Sequence, residues 1–360
     1  VTFRIGASRQ GLHWIGYSIP RMTELCLALL RLLRDGEFHS GEALARALGV
    51  SRGTVWNAVR ALEASDLELH KVHGRGYRLA QPLSLLDARE VERCAGPGVA
   101  RLAIEIVDAV GSTNSVMMAR AAAGASSGSV IAAESQSGGR GRMGRAWQAG
   151  LGRSLTFSLL WRFGKGAAEL AGLSLAAGVG VLRALNALGA REVGLKWPND
   201  VVWRDRKIAG ILIEMHGDAL GPSAVVVGIG LNIRLSQPMR DRIDQPACDL
   251  ETVCGQRLDR NAVLGLLLAH LGAVLEQFES DGFASLRREW EGYHAHQGRP
   301  IVVKLPNGRS ESGTARGIAE DGALIFESGG TTRALHSGEI SVRAAAAPPA
   351  ASRQRARSAP

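Results

Sequence analysis

Apolar residues recur at two different periods along the chain, and the period changes mark its parts. In Thr23–Arg34, Leu25, Leu29, Leu32 and Leu33 fall at helical spacing, and Gly36 ends the run. Ser40 then precedes a second helix over Gly41–Leu48, Gly49 turns the chain, and Ser51 caps a third helix through about Ala64. Val55, Val59 and Leu62 line one face of that third helix, and Trp56 suits either a core or an exposed position. Two short helices joined by Leu48-Gly49-Val50-Ser51 form a helix-turn-helix pattern. Leu67–Val72 and Tyr77–Leu79 read as strands around His73-Gly74-Arg75-Gly76, a wing, and Gln81-Pro82 with Leu83–Val91 reads as a connector.

Beyond the connector, apolar runs are nearly continuous, as expected of strands buried on both faces. Arg101–Asp108 predicts a strand that turns through Gly111-Ser112-Thr113-Asn114 into an Ala/Met-rich helix reaching Ala123. Ser129–Glu134 and Ser154–Trp161 are further strands, and Leu170–Leu188 is a small-residue core helix. Val193–Lys196, Val201–Trp203, Lys207–Met215 and Ser223–Ile233 complete the sheet. Arg260–Glu279 is a long amphipathic helix, continued by Phe283–Trp290. From Arg299 the period falls to two: Ile301–Leu305, Gly313–Ile318, Leu324–Glu327 and Ile340–Arg343 alternate with turns at Pro306-Asn307-Gly308 and Asp321-Gly322, the pattern of a small β-barrel.

Composition adds limits. The 360 residues carry 46% apolar side chains, which excludes wholesale disorder, and no uninterrupted apolar run reaches the ~18 residues of a membrane span. Cys26, Cys94, Cys248 and Cys254 form no C-x-x-C pair, and no signal-peptide pattern opens the chain, which suits a reducing cytoplasm. The formal charge is +9, a first hint of a polyanionic partner. Val1–Arg21 and Ala344–Pro360 each contribute +3, however. The first is expected to be an extension ahead of Met22, the second a disordered tail. The partner hint therefore rests on placement: Arg52, Thr54, Asn57 and Arg60 on the third helix, and Lys71, Arg75 and Arg78 in the wing, suit phosphates and base edges.

Chemistry gathers at four places. Ser112 or Thr113 can cap a helix, and the same small polar corner can hydrogen-bond a ureido or carboxylate group. Gln136-Ser137-Gly138-Gly139-Arg140-Gly141-Arg142-Met143-Gly144-Arg145-Ala146-Trp147 offers backbone N–H groups and three guanidinium groups to an anion, without the P-loop or dinucleotide signature. Lys196-Trp197-Pro198-Asn199-Asp200 puts a cation, an amide and a carboxylate around one corner. Lys207 heads an apolar strand, where a lysine needs a partner, and Gly210 would let a ligand lie against that strand. No metal-ligand motif accompanies them.

Together these segments resemble the biotin protein ligases, specifically the bifunctional form that is also the biotin operon repressor. The resemblance spans about Thr23 to Arg343 and rests on Gly-Ser-Thr-Asn at 111–114, Gly-Arg-Gly-Arg-Met-Gly-Arg-Ala-Trp at 139–147, Lys-Trp-Pro-Asn-Asp at 196–200 and Lys-Ile-Ala-Gly-Ile-Leu-Ile-Glu at 207–214. It implies an α/β (α+β) architecture: a winged helix-turn-helix over 22–82, a ligase domain over 83–294 and an SH3-like domain over 295–343, with 1–21 and 344–360 outside them. It implies ATP and Mg²⁺, biotin as substrate, a biotin carboxyl carrier domain as acceptor, operator DNA as partner and a homodimer on binding biotinyl-AMP. Ser112, Thr113, Asn114, Gln136, Gly139, Arg140, Lys207 and Gly210 would then hold biotin; Arg142, Arg145, Trp147, Asn199 and Asn232 would meet the nucleotide; Lys207, Arg140 and Asp200 would carry the chemistry. Asp200 is the carboxylate expected to help deprotonate the acceptor lysine. Met143 stands where the family usually has an arginine or similar polar residue, and Arg234–Ala247 lacks the tryptophan some repressor-type members have there. A lipoate ligase and a ligand-sensing repressor without ligase activity are the rival readings.

Overall fold

The structure is a computed structural model and describes residues 24–217, 221–305, 308–336 and 341–344. The expected extension with Met22, the tail beyond Ala344, Pro306-Asn307 and Ile340 lie outside the described residues. Chain contacts divide the molecule after Leu85 into two units, each of which is described by itself.

The first unit opens with α1 (Glu24–Leu33), α2 (Gly41–Leu48) and α3 (Arg52–Glu63), followed by β1 (Leu69–Val72) and β2 (Gly76–Leu79) in an antiparallel hairpin. The caps are those the sequence predicts: Ser40 Oγ accepts from the Ala43 amide and Ser51 Oγ from the Thr54 amide, each at 3.1 Å. Gly49 closes α2 at φ 66°, a conformation that favours glycine. Leu27, Leu29, Leu30, Leu33, Val55, Val59 and Leu62 form this unit's core; of the expected stripe on α1, Leu29 and Leu33 are buried, while Leu25 and Leu32 are half-buried because the helix turns Leu27 and Leu30 inward instead.

The second unit continues with α4 (Ala88–Ala95), β3 (Ala103–Val110), α5 (Thr113–Ala122), β4 (Ser129–Gln136), β5 (Ser154–Phe163), α6 (Leu173–Ala187), β6 (Val193–Lys196), β7 (Asp200–Trp203), β8 (Arg206–Gly217) and β9 (Ser223–Asn232). The strands form a seven-stranded sheet in the order β3-β4-β5-β9-β8-β7-β6, parallel at β3–β4 and antiparallel elsewhere. Both sheet faces are covered, which is why these strands are apolar almost without break. Along β5, Leu155, Phe157, Leu159 and Trp161 join the main core, whereas Leu160 meets Met117 and Ala121 of α5 on the opposite face. The main core is closed by α6 and by α9 (Arg260–Asp281), reached through α7 (Gln237–Arg242) and α8 (Leu250–Cys254). By length and composition α9 could cross a membrane, with a mean hydropathy of 1.4 over 18 residues, but 61% of that window is buried inside the protein.

α10 (Ala284–Gly292) leads into β10 (Pro300–Lys304), β11 (Ser310–Ile318), β12 (Leu324–Ser328), β13 (Thr331–Leu335) and β14 (Ser341–Ala344), an antiparallel SH3-like sheet in the order β13-β12-β11-β10-β14. Ile301, Val303, Ala315 and Phe326 belong to the main core, so this sheet is packed onto the seven-stranded unit. Four elements escape the periodicity reading. α4 buries only Val91, β13 runs Thr-Thr-Arg-Ala-Leu at an exposed sheet edge, and α7 and α8 are too short to show a period.

Candidate functional site

β3 and β4 run side by side, and α5 starts where β3 ends, so the Ser112–Asn114 corner lies against the end of β4. Ser112 caps α5, while the Thr113 amide and hydroxyl both donate to Gln136 Oε1, at 2.7 and 3.1 Å. Asn114 is buried; its Nδ2 donates to Glu214 Oε2 at 2.8 Å, and its Oδ1 lies 2.6 Å from Ser158 Oγ. Its polar atoms are thus committed within the protein, although the residue borders the cleft.

The Gly/Arg segment is an ordered loop. Gly138 N–H donates to Gly111 O, Gly141 N–H to Arg145 O and Trp147 N–H to Gly139 O, within 2.7–2.9 Å, so the loop folds back on itself. Met143 occupies its tip at φ 56°, 58% exposed. Arg140 donates to Ser115 Oγ at 2.9 Å and is ion-paired with Glu214 at 3.3 Å. Arg142 donates to Asn199 Oδ1 at 3.3 Å, and burial pushes its guanidinium below its ordinary value.

Three glycines make the floor of the cleft. A Cβ on Gly230 would lie 2.3 Å from the Trp147 ring, one on Gly228 would lie 2.0 Å from Asn114 Oδ1, and one on Gly210 would lie 3.1 Å from Lys207 Nζ. Bare backbone at these points lets Trp147 and Lys207 lie flat on β8 and β9. Lys207 finds the partner its position demands: its Nζ is 2.7 Å from Asp200 Oδ1 and 5.7 Å from the Trp147 ring centre. Its backbone is pinned too, since Lys207 N–H donates to Pro246 O and Cys248 N–H donates to Lys207 O, both at 2.9 Å. Asn232 Nδ2 donates to Cys248 O at 3.2 Å, steadying that same segment.

The resulting cleft has a volume of about 420 Å³. It gathers Ser112, Thr113, Asn114, Gln136, Arg140, Arg142, Arg145, Trp147, Asn199, Asp200, Lys207 and Gly210 from the residues expected by sequence; Gly139 and Asn232 stand outside its lining. It also includes Lys196, Asp205, Asp244, His296 and Arg343. Lys196 is the cation of the Lys-Trp-Pro-Asn-Asp corner, whereas the other four give little signal in sequence because they come from turns and from the C-terminal sheet. His296 is buried, 3.4 Å from Asp205, and its imidazole is pulled down to about 4 by burial, Lys196 and His294. The cleft carboxylates Asp200, Asp205 and Asp244 come singly, and no group of three metal-ligating side chains occurs among the described residues.

In the first unit, α3 exposes Arg52, Asn57 and Arg60, with Thr54 half-buried beside the Ser51 cap. Trp56 is 46% exposed under the Arg60 guanidinium, which resolves its ambiguity in favour of the surface. In the wing Arg75 and Arg78 stack on Phe38, and Lys71 is ion-paired with Glu63 at 2.7 Å.

One cleft thus joins a glycine floor, an arginine loop and a paired lysine on a mixed sheet, and the same chain carries a winged helix-turn-helix. Residues 109–232 match the biotin/lipoate A/B protein ligase family, 27–78 an HTH domain and 296–343 the biotin protein ligase C-terminal domain. The chain is 37% identical over 320 residues to the bifunctional ligase/repressor BirA of Escherichia coli, covering 89% of this chain and 97% of that one. It is 35% identical over 268 residues to the biotin–[acetyl-CoA-carboxylase] ligase of Mycobacterium tuberculosis, covering 73% and 97%. The biotin protein ligase of Aquifex aeolicus in complex with biotin and ATP superposes with a TM-score of 0.58 at 26% identity, covering 67% of this chain and 99% of that one. The chain belongs to the biotin protein ligase family, in its bifunctional ligase/repressor form.

Proposed function

We propose that this protein joins biotin to a lysine of a biotin carboxyl carrier domain in two steps, and that its winged helix-turn-helix binds operator DNA in response to biotin. The observation that carries the enzymatic reading is the Lys207–Asp200 pair on the glycine floor, between the Thr113–Gln136 corner and the arginine loop. In the first step a biotin carboxylate oxygen bonds to the α-phosphorus of ATP and pyrophosphate leaves. In the second the acceptor amine attacks the biotinyl carbonyl, and AMP leaves. Neither step needs a covalent enzyme nucleophile; both need cations and N–H donors around developing negative charge.

In this reading Ser112, Thr113 and Gln136 bind the biotin head group, and Asn114 and Gly210 shape its pocket. Arg140 meets the acyl end, and Lys207 bridges the biotin carboxylate and α-phosphate. Arg142, Arg145, Trp147 and Asn199 border the nucleotide. Asp200 orients Lys207 and takes the acceptor's proton as Lys207 turns to the phosphate. Gly139 and Asn232 act through the backbone segments they steady. Single carboxylates suit a Mg²⁺ that arrives on the ATP phosphates and keeps most of its water, and that ion supplies charge neutralisation. The finer partner reading is a homodimer formed on binding biotinyl-AMP, in the cytoplasm.

Incubating the purified protein with ATP, Mg²⁺ and either biotin or lipoate, and weighing the products, tests the reading. Biotinyl-5′-AMP is expected; lipoyl-AMP alone would transfer the reading to the sister activity, and no adenylate would leave a ligand-sensing repressor. Biotin-dependent footprinting of biosynthetic promoters tests the second activity, and protection that survives removal of residues 24–79 would contradict the assignment of the DNA-binding unit.

A further inference from the structure

Lys196 lies in the cleft and is used by none of the roles above. It ends β6 directly opposite Asp200 on β7, so the two residues face each other across the hairpin. Yet Asp200 is held by Lys207 at 2.7 Å, and the next carboxylate, Asp205, is held by Arg299 at 2.9 Å and approached by His296. Among the described residues no carboxylate lies within ion-pair distance of the Lys196 ammonium. Burial pulls its proton affinity below the ordinary lysine value; Lys207 and Arg343 act in the same direction, and Asp200 and Asp205 oppose them. Two lysines therefore share one carboxylate, Arg343 lines the same end of the cleft, and the Lys196 ammonium has no carboxylate of its own among the described residues.

Its place along the sheet says which anion it faces. The biotin corner lies at the end of β4, Lys207 at the head of β8, and Lys196 on β6, two strands further in the order β4-β5-β9-β8-β7-β6. At ~4.8 Å per strand, β6 runs about 10 Å beyond β8. With the biotin carboxylate and the α-phosphate meeting at Lys207, the group that departs in line, opposite the attacking oxygen, points away from the biotin corner and toward β7 and β6. We infer that Lys196 is the cation that receives the β,γ-pyrophosphate of ATP as it leaves during biotin activation, an inference that rests on the ligase reading above. As the carboxylate oxygen bonds to the α-phosphorus, the bond from that phosphorus to the bridging oxygen breaks, and its electron pair departs on pyrophosphate. The Lys196 ammonium neutralises part of the charge that develops on the departing pyrophosphate.

This role separates the two half-reactions, because pyrophosphate is gone before the acceptor lysine reacts. In Lys196→Met, adenylate formation from ATP and biotin is expected to slow about 100-fold, the usual cost of one charge-stabilising donor. Transfer from supplied biotinyl-5′-AMP to the carrier domain, biotin affinity by calorimetry and the melting temperature are expected to stay at wild-type values. Lys196→Arg should recover most of the adenylation rate, and pyrophosphate should inhibit the Met variant more weakly than the wild type. Equal slowing of both half-reactions would overturn the inference, because it would put Lys196 on the AMP part; so would a joint fall in melting temperature and both rates, or no change in either rate. A wild-type protein that forms no adenylate would remove the ligase reading itself, before any variant is compared.

Discussion

A lysine at the head of an apolar strand costs free energy unless a carboxylate meets it, and Lys207 shows the need and its solution together. Sequence alone identifies the residue as unusual, and the distance to Asp200 supplies the reason it is tolerated. With Asp200 left in place, Lys207→Ala is expected to slow adenylate formation by about 10²–10³-fold while leaving biotin affinity far less changed. Pre-steady-state adenylation beside biotin titration calorimetry checks this, and equal losses in both would deny Lys207 a role in the chemical step. The same comparison shows what a linear reading cannot see. Arg140, Arg142 and Trp147 sit in one motif and are legible there, whereas Arg343 and His296 enter the cleft from beyond α10 and carry no local pattern of their own. Trp56 is undecidable from spacing because α3 has room for an aromatic on either face; the Arg60 stack settles it.

Strands and helices were legible where their apolar pattern has a purpose over many residues. β5 and β9 are buried on both faces and read as unbroken apolar runs, and α6 reads as core for the same reason. α4 fails this test because its stability comes from caps and contacts. Asp87 Oδ1 caps it, the Asp87 amide donates to Asn261 Oδ1 at 2.9 Å, and the Leu86 amide donates to Glu134. Glu134 also meets Arg260 at 2.7 Å, with both side chains 2% exposed, so β4, α9 and the start of α4 are joined by one buried charge pair. Arg260→Met leaves Glu134 buried without its cation and is expected to cost about 3–5 kcal/mol of stability. Urea unfolding of the full chain measures it; a loss below 1 kcal/mol would mean that the pair contributes little beyond its own desolvation.

At the level of the whole molecule, the hydrogen bonds that begin the ligase unit, at Leu86 and Asp87, are all made inside that unit. A chain starting at Gln81 is therefore expected to form biotinyl-5′-AMP at the full-length rate and to lose operator binding, which adenylation and footprinting assays of the same preparation would show. The buried histidines give the molecule a pH dependence of definite sign. His296 is lowered to about 4, and His294 and His270 are also lowered by burial, whereas an unfolded histidine titrates near ~6.5. Between those values the unfolded chain binds more protons than the folded one, so stability is complete above about pH 6.5 and falls as the pH drops toward 4. His296→Leu is expected to flatten that slope in urea titrations between pH 7 and 5, and an unchanged slope would assign the dependence to other groups. The glycine floor carries a consequence of a different kind. Gly210, Gly228 and Gly230 make room for the protein's own side chains, because Lys207, Asn114 and Trp147 occupy the space that a Cβ would need. One methyl group at Gly228 or Gly230 would therefore push Asn114 or Trp147 off the sheet, so the wall of the groove is positioned by residues that have no side chain of their own.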